Sequence, residues 1–215
     1  MIDLAELISR VRTRYEQSSS TRWTDEEITH SINEALESLA EETHFYERNC
    51  TLPIQLNRTW YDIRGFTPET PLEIRSIWST SRDQWLTPVD ETDLQFQWEN
   101  STGDPTMYFT RGIYWLGLWP KAGTATNTDG FLRVFFAAIP SRWTHTQEVL
   151  SDLPKNYMPA VVDYSLYDLA SKDREPQKAI EHFRNYLRRE KELKMRMDHR
   201  IAGAQAGAIG QYGGD

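Results

Sequence analysis

A single cysteine in 215 residues, Cys50, excludes an intrachain disulfide framework and any zinc site built from several thiolates. It reads instead as a small, half-buried residue at a strand edge. No apolar run approaches the ~18 residues of a membrane span, and MIDLAELISR lacks the basic and apolar regions of a secretory signal. Synthesis in a cytoplasm is therefore expected, and the N-x-S/T matches at Asn49, Asn57 and Asn100 are chance. His30, His44, His145, His182 and His199 are scattered without metal-binding spacing. The chain has no G-x-S-x-G elbow, Walker A loop or G-x-G-x-x-G fingerprint. No catalytic residue, cofactor or metal is expected.

Positive charge is also scarce, with 24 Lys/Arg against 32 Asp/Glu and a net charge of −8. Lys172–Arg200 holds 10 of the Lys/Arg against 6 Asp/Glu, leaving 14 against 26 elsewhere. That distribution excludes a continuous basic clamp on duplex DNA. Within the basic stretch, Arg188, Arg189, Lys191, Lys194, Arg196 and Arg200 interleave with Glu190, Glu192 and Asp198. Mixed signs on a helix mark a solvated or interhelical face, so a nucleic-acid-binding regulator ranks last.

Two helix starts open the chain. In RWTDEEITHSINEALESLA, Thr24 is an N-cap, Glu27 completes a capping box and Trp23 staples onto Ile28. Ile28, Ile32, Ala35, Leu36 and Leu39 then share one face, opposite Glu26, Glu34, Glu37 and Glu41. Upstream, Asp3 and Glu6 form a second capping pair, Ile2 staples onto Leu7, and Leu4, Leu7, Ile8, Val11 and Tyr15 make a stripe. Neither short helix buries its stripe alone.

From Cys50 to Trp143 the pattern changes to short apolar runs punctuated by Pro, Gly, Asn and Asp. Strands are predicted over Thr51–Leu56, Thr59–Ile63, Leu72–Ser79, Gln84–Thr87, Thr106–Thr110, Ile113–Trp119 and Phe131–Ile139, with a short helix over Asp90–Glu99. The first two strands read as a hairpin across Asn57-Arg58. Ile113–Trp119 and Phe131–Ile139 are apolar on both faces, which predicts cover on both, from helices or from a neighbouring subunit.

After Pro154 helical pattern returns. Val161, Val162, Ser165, Leu166 and Leu169 line one face, with Pro154 or Pro159 in the first turn. Pro176 starts a long helix to Arg200 with Ala179, Ile180, Phe183, Leu187, Glu190 and Met197 along one side. IAGAQAGAIGQYGGD, glycine-rich and nearly uncharged, is predicted as a flexible tail that orders against a partner.

A rival reading comes from the tryptophans. Trp60, Trp78, Trp85, Trp98, Trp115 and Trp119 could line a sugar groove, with Asp90, Asp93 or Glu99 as paired carboxylates. Tryptophans at strand spacing more often serve a core or an interface.

Four segments in this order, IDLAELISRVR, RWTDEEITHSINEALESLA, GDPTMYFTRGIYWLGLWPKA and LPKNYMPAVVDYSLYDLASKD, resemble the head-to-tail adaptors (connector or head-completion proteins) of short-tailed bacteriophages. The resemblance covers nearly the whole chain. It implies an α+β fold: terminal helices forming a helical bundle, an inserted antiparallel β-rich region and an extended C-terminal tail. The expected divisions are N-terminal helices 1–49, β-rich insertion 50–150, C-terminal helices 151–200 and a partner-binding tail 201–215. It further implies a structural virion protein at the head-tail junction, made in the host cytoplasm and lacking a membrane anchor. Its partners would be its own copies in a dodecameric ring, the portal protein above, and tail nozzle or fibre proteins below. Genomic DNA would pass through the lumen without sequence-specific binding, and the acidic balance suits a wall that repels phosphate. A head-to-tail ring needs two different contact surfaces per subunit. The candidates are Glu34, Glu37, Arg188, Arg189, Trp115 and Trp119 for subunit contacts and Arg196, Arg200, Ile201, Ile209 and Tyr212 for the portal.

Overall fold

A computed structural model describes residues 3–15, 22–94, 98–124, 130–144 and 155–210, with side chains of the last helix described as far as His199. The chain divides into two compact units, Met1–Tyr46 with Pro140–Asp215, and Glu47–Ile139. The fold is α+β. The β-rich unit begins and ends earlier than the 50–150 read from composition, because the strands reach back to Glu47 and stop at Ile139.

Four helices build the first unit: α1 Leu4–Arg14, α2 Asp25–Thr43, α3 Met158–Lys172 and α4 Pro176–Gly210. Asp3 caps α1 by accepting from the Ala5 N–H at 3.0 Å. The reciprocal arm expected from Glu6 is replaced by an ion pair to Arg10 at 2.8 Å. Both arms of the Thr24–Glu27 box are present, at 3.2 and 2.8 Å. Trp23 packs half-buried against the core, while its proposed counterpart Ile2 in the first helix's staple lies outside the described residues. The predicted stripes meet as one core, with Leu4, Leu7 and Val11 against Ile28, Ile32, Leu36 and Leu39 and against Val161, Val162, Leu166 and Leu169. Pro159 stands in the first turn of α3.

The buried side of α4 matches the expected one only at Ala179 and Met197. Ala179, Tyr186, Leu193 and Met197 are buried, whereas Ile180, Phe183 and Leu187 are 52%, 36% and 45% exposed. Steps of seven from Ala179 to Leu193 keep one seam of the helix inward, and Tyr186 fixes that seam through a 2.9 Å hydrogen bond between its hydroxyl and that of Ser38. The helical backbone continues past Arg200 to Gly210, into the stretch read as a flexible tail. Extending a formed helix needs no new nucleus, and Ala202, Ala204, Ala206 and Ala208 offset the glycines between them. Residues 211–215 lie outside the described residues.

Ion pairs tie the helices together. Asp163 of α3, 3% exposed, accepts from Arg14 of α1 at 3.0 Å and from Arg189 of α4 at 2.5 Å. Asp173, at the α3–α4 turn, accepts from the Tyr15 hydroxyl and pairs with Arg22. Burial, with the neighbouring Asp173 carboxylate, holds the Tyr15 phenol well above its usual range. Arg174 takes a left-handed φ of 59° in that turn, and the Glu175 N–H closes it on the Ala170 carbonyl at 3.0 Å.

The second unit contains β1 Glu47–Pro53, β2 Trp60–Asp62, β3 Thr70–Ser79, β4 Gln84–Trp85, β5 Thr87–Pro88, β6 Thr102–Gly103, β7 Met107–Arg111, β8 Trp115–Trp119, β9 Lys121–Ala122 and β10 Phe131–Ile139. One sheet has the order β1-β10-β3-β4 and another β2-β8-β7-β5, with β6 and β9 as a separate pair. Pairing is antiparallel except for β5 with β7 and β6 with β9. The hairpin expected across Asn57-Arg58 does not form. Seven residues of β1 pair with β10, with Cys50 opposite Val134 and Leu52 opposite Leu132, a longer apolar match than the three residues of β2 provide. The intervening loop closes instead on Tyr61, whose hydroxyl accepts the Gln55 N–H at 2.9 Å. Asp90–Glu99 is not one helix: 3-10 turns span Glu91–Asp93 and Trp98–Asn100.

The strands expected to be covered on both faces are covered fully on one and in part on the other, where Gly117 and Ala137 are buried and Trp119 and Phe135 half-buried. Leu116 and Leu118 are buried while Trp115 is 42% exposed, and Leu132, Val134 and Phe136 are buried while Phe131 is 52% exposed. Gly117 serves packing, since a Cβ there would stand 2.3 Å from the Phe109 ring. That ring sits edge-on to Trp60 and Trp98, at 5.0 and 4.8 Å.

Two outcomes follow from these packings. Asp163→Ala strands Arg14 and Arg189, and because both arginines keep solvent access the loss should be about 2–3 kcal/mol rather than the full cost of a broken buried pair; urea denaturation followed by helical circular dichroism measures it against Arg188→Ala, expected within about 0.5 kcal/mol of wild type. Burial pushes the Cys50 thiol up to about 11, so at pH 8 only about one molecule in a thousand carries the reactive thiolate. A disulfide reagent should therefore label Cys50 at least ~100-fold more slowly in the native protein than in urea.

Candidate interaction surfaces

The proposed subunit-contact residues divide by their partners within the chain. Glu34 and Glu37 are both held by Arg142, at 3.0 and 2.9 Å. The hydrogen bond to Glu37, with the charge of both carboxylates, raises the affinity of the Arg142 guanidinium for its proton still further. Arg189 is committed to Asp163. Arg188 is exposed and has no ion pair among the described residues. A subunit contact through Glu34, Glu37 or Arg189 therefore competes with bonds already made inside one chain.

Arg142 belongs to a strap that sequence periodicity does not reveal. The Asn33 side chain, 7% exposed, donates to the Trp143 carbonyl and accepts from the Trp143 N–H, both at 2.9 Å. One amide thus satisfies both backbone groups of Trp143, as a neighbouring strand would. Glu26, Thr29, His30 and Thr144 border a shallow hollow beside it. A buried asparagine amid an apolar stripe was the available signal, without anything to name its partner.

The tryptophans do not line one groove. Trp60 and Trp98 pack on Phe109 in the β2-β8-β7-β5 sheet, and Arg111 stacks over Trp60 at 4.5 Å while pairing with Glu91. Trp78 and Trp85 meet edge-on at 5.1 Å in the other sheet, with Trp85 5.5 Å from Phe135. Trp85 is 49% exposed, which makes that sheet face the aromatic surface open to solvent. Trp115 is also exposed, whereas Trp119 is half-buried with its indole N–H unpartnered among the described residues. Asp90 accepts from the Thr92 N–H and hydroxyl at 2.9 and 2.8 Å, which holds it below the ordinary carboxylate range and ionised, the wrong state for a general acid.

Arg196 is exposed on α4. Arg200, Ile201 and Ile209 lie on its helical backbone, beyond the last described side chain, and Tyr212 lies outside the described residues. Sequence reasoning missed the surface exposed by the α4 seam. Tyr167, Ala179, Ile180 and Phe183 line an apolar groove of about 460 Å³, rimmed by Arg174 and Arg184. Among the described residues no group of His, Cys, Asp or Glu is placed to hold a metal ion, and no helix is long and apolar enough to cross a membrane.

Both units therefore offer surfaces suited to protein contacts. Among curated proteins, none matches the chain. The family described as SU10 adaptor protein matches residues 2–208, spanning the helices and the β-rich unit alike. The chain accordingly belongs to the SU10 adaptor protein family, whose members are structural adaptors of bacteriophages.

Proposed function

We propose that the protein assembles as a ring of twelve copies beneath the portal, extends the DNA channel and presents the platform for the tail nozzle or fibres. The family match over both units carries this reading. Support comes from the distribution of surface: apolar side chains stand exposed on α4 and on the β-rich unit, so each copy has two dissimilar faces for a head-to-tail contact. The distal part of α4, with Arg196, Arg200, Ile201 and Ile209, is the proposed portal contact, completed by Tyr212. One copy would bind weakly, and a ring would gain strength from linked copies. DNA would pass without a sequence-specific grip, in keeping with an acid excess outside Lys172–Arg200.

The second reading, glycan binding on the Trp78, Trp85 and Phe135 face, rests on the exposure of Trp85. Mass photometry of the full chain with a portal ring from the same genome separates the two. A species heavier than the portal by about twelve copies is expected, and removal of Ile201–Asp215 should weaken portal attachment without altering the folded β-rich unit. A protein that never joins the portal, but whose tryptophan fluorescence responds to cell-wall sugars, overturns the adaptor reading.

A further inference from the structure

The apolar stripe of α4 is bordered by cations with no ion pair among the described residues. Arg174, Arg184, Arg188 and Lys191 make no ion pair among the described residues, although Lys178, Arg189 and Lys194 nearby are paired with Glu175, Asp163 and Glu42. Between them, Ile180, Phe183 and Leu187 keep 36–52% of their surface in water. Such a surface favours a partner that is apolar at its centre and acidic at its edge.

The same chain carries one segment of that description. Asp83–Leu94 has four carboxylates and no Lys or Arg. Asp83 and Asp93 are exposed and make no ion pair among the described residues, and Trp85 between them is 49% exposed. We infer that the basic-rimmed groove on α4 of one copy receives the Asp83–Leu94 segment of a second copy, with Trp85 against Ile180, Phe183 and Leu187, and Asp83 and Asp93 against Arg184 and Arg188. The inference rests on the ring reading above and gives it a contact. Groove and segment are different surfaces of the chain, so the contact can repeat head-to-tail from copy to copy around a ring.

The test uses the full chain with Leu187→p-benzoylphenylalanine, prepared as a mixture of ¹⁴N and ¹⁵N copies and assembled with the portal ring. Photocross-links to Asp83–Leu94 of mixed isotope composition are expected. In parallel, Arg184→Glu with Arg188→Glu should weaken assembly at least about tenfold, and Asp83→Arg with Asp93→Arg, combined with them, should restore it. These residues are exposed, and unchanged thermal melting of each variant shows that the fold is kept. If rings form as in wild type and the cross-links fall elsewhere, this contact is wrong and the ring reading stands. If wild-type chains associate neither with one another nor with the portal, both are overturned.

Discussion

The helical unit depends on one buried carboxylate. Asp163 sits among apolar side chains and receives guanidinium groups from helices at opposite ends of the chain, Arg14 and Arg189. A buried ion pair adds little net stability over an apolar substitute, since desolvation consumes much of the attraction. Its value here lies in register. Apolar stripes on α1, α3 and α4 tolerate sliding, whereas a carboxylate with two directional partners does so only by leaving a charge unpaired. Tyr186 on Ser38 and Tyr15 on Asp173 add further fixed points along the same interfaces, and together they determine which side of α4 faces inward.

That choice also marks the limit of what the sequence discloses. The capping box at Thr24 and the stripes of α1, α2 and α3 are local patterns, and the structure bears them out residue by residue. The face of α4 is set by partners on other helices, with Ser38 148 residues from Tyr186 and Asp163 26 from Arg189, and a periodicity that weighs Ile, Phe and Leu above Tyr misses Tyr186 and Leu193. The Thr51–Ile63 hairpin fails for a related reason: spacing shows that two strands are near in sequence and does not show that β10 is the longer and more apolar partner for β1. Among the surface residues, exposure of Trp115 and Arg188 was consistent with their chemistry. The intrachain commitments of Glu34, Glu37 and Arg189 needed coordinates, because Arg142 and Asp163 carry no local sign of their partners.

The exposed stripe of α4 follows from the same choice of inward side. Once Tyr186 and Leu193 are inward, Ile180, Phe183 and Leu187 have no place in the core of their own unit. The β-rich unit behaves similarly, leaving Trp85, Trp115 and Phe131 42–52% exposed. Exposed apolar residues on both units are costly for a solitary protein and useful for one that assembles.

The strap formed by Asn33 and Trp143 bears on the order in which the molecule is made. The receiving side of the strap is in α2, which is made before the β-rich unit, and its ligand is the chain that emerges after β10. A ribosome therefore completes the whole β-rich unit, Glu47–Ile139, before the helical unit that was begun first can close. Through that interval the apolar faces of α1 and α2 wait without α3 and α4, which follow β10 in the chain.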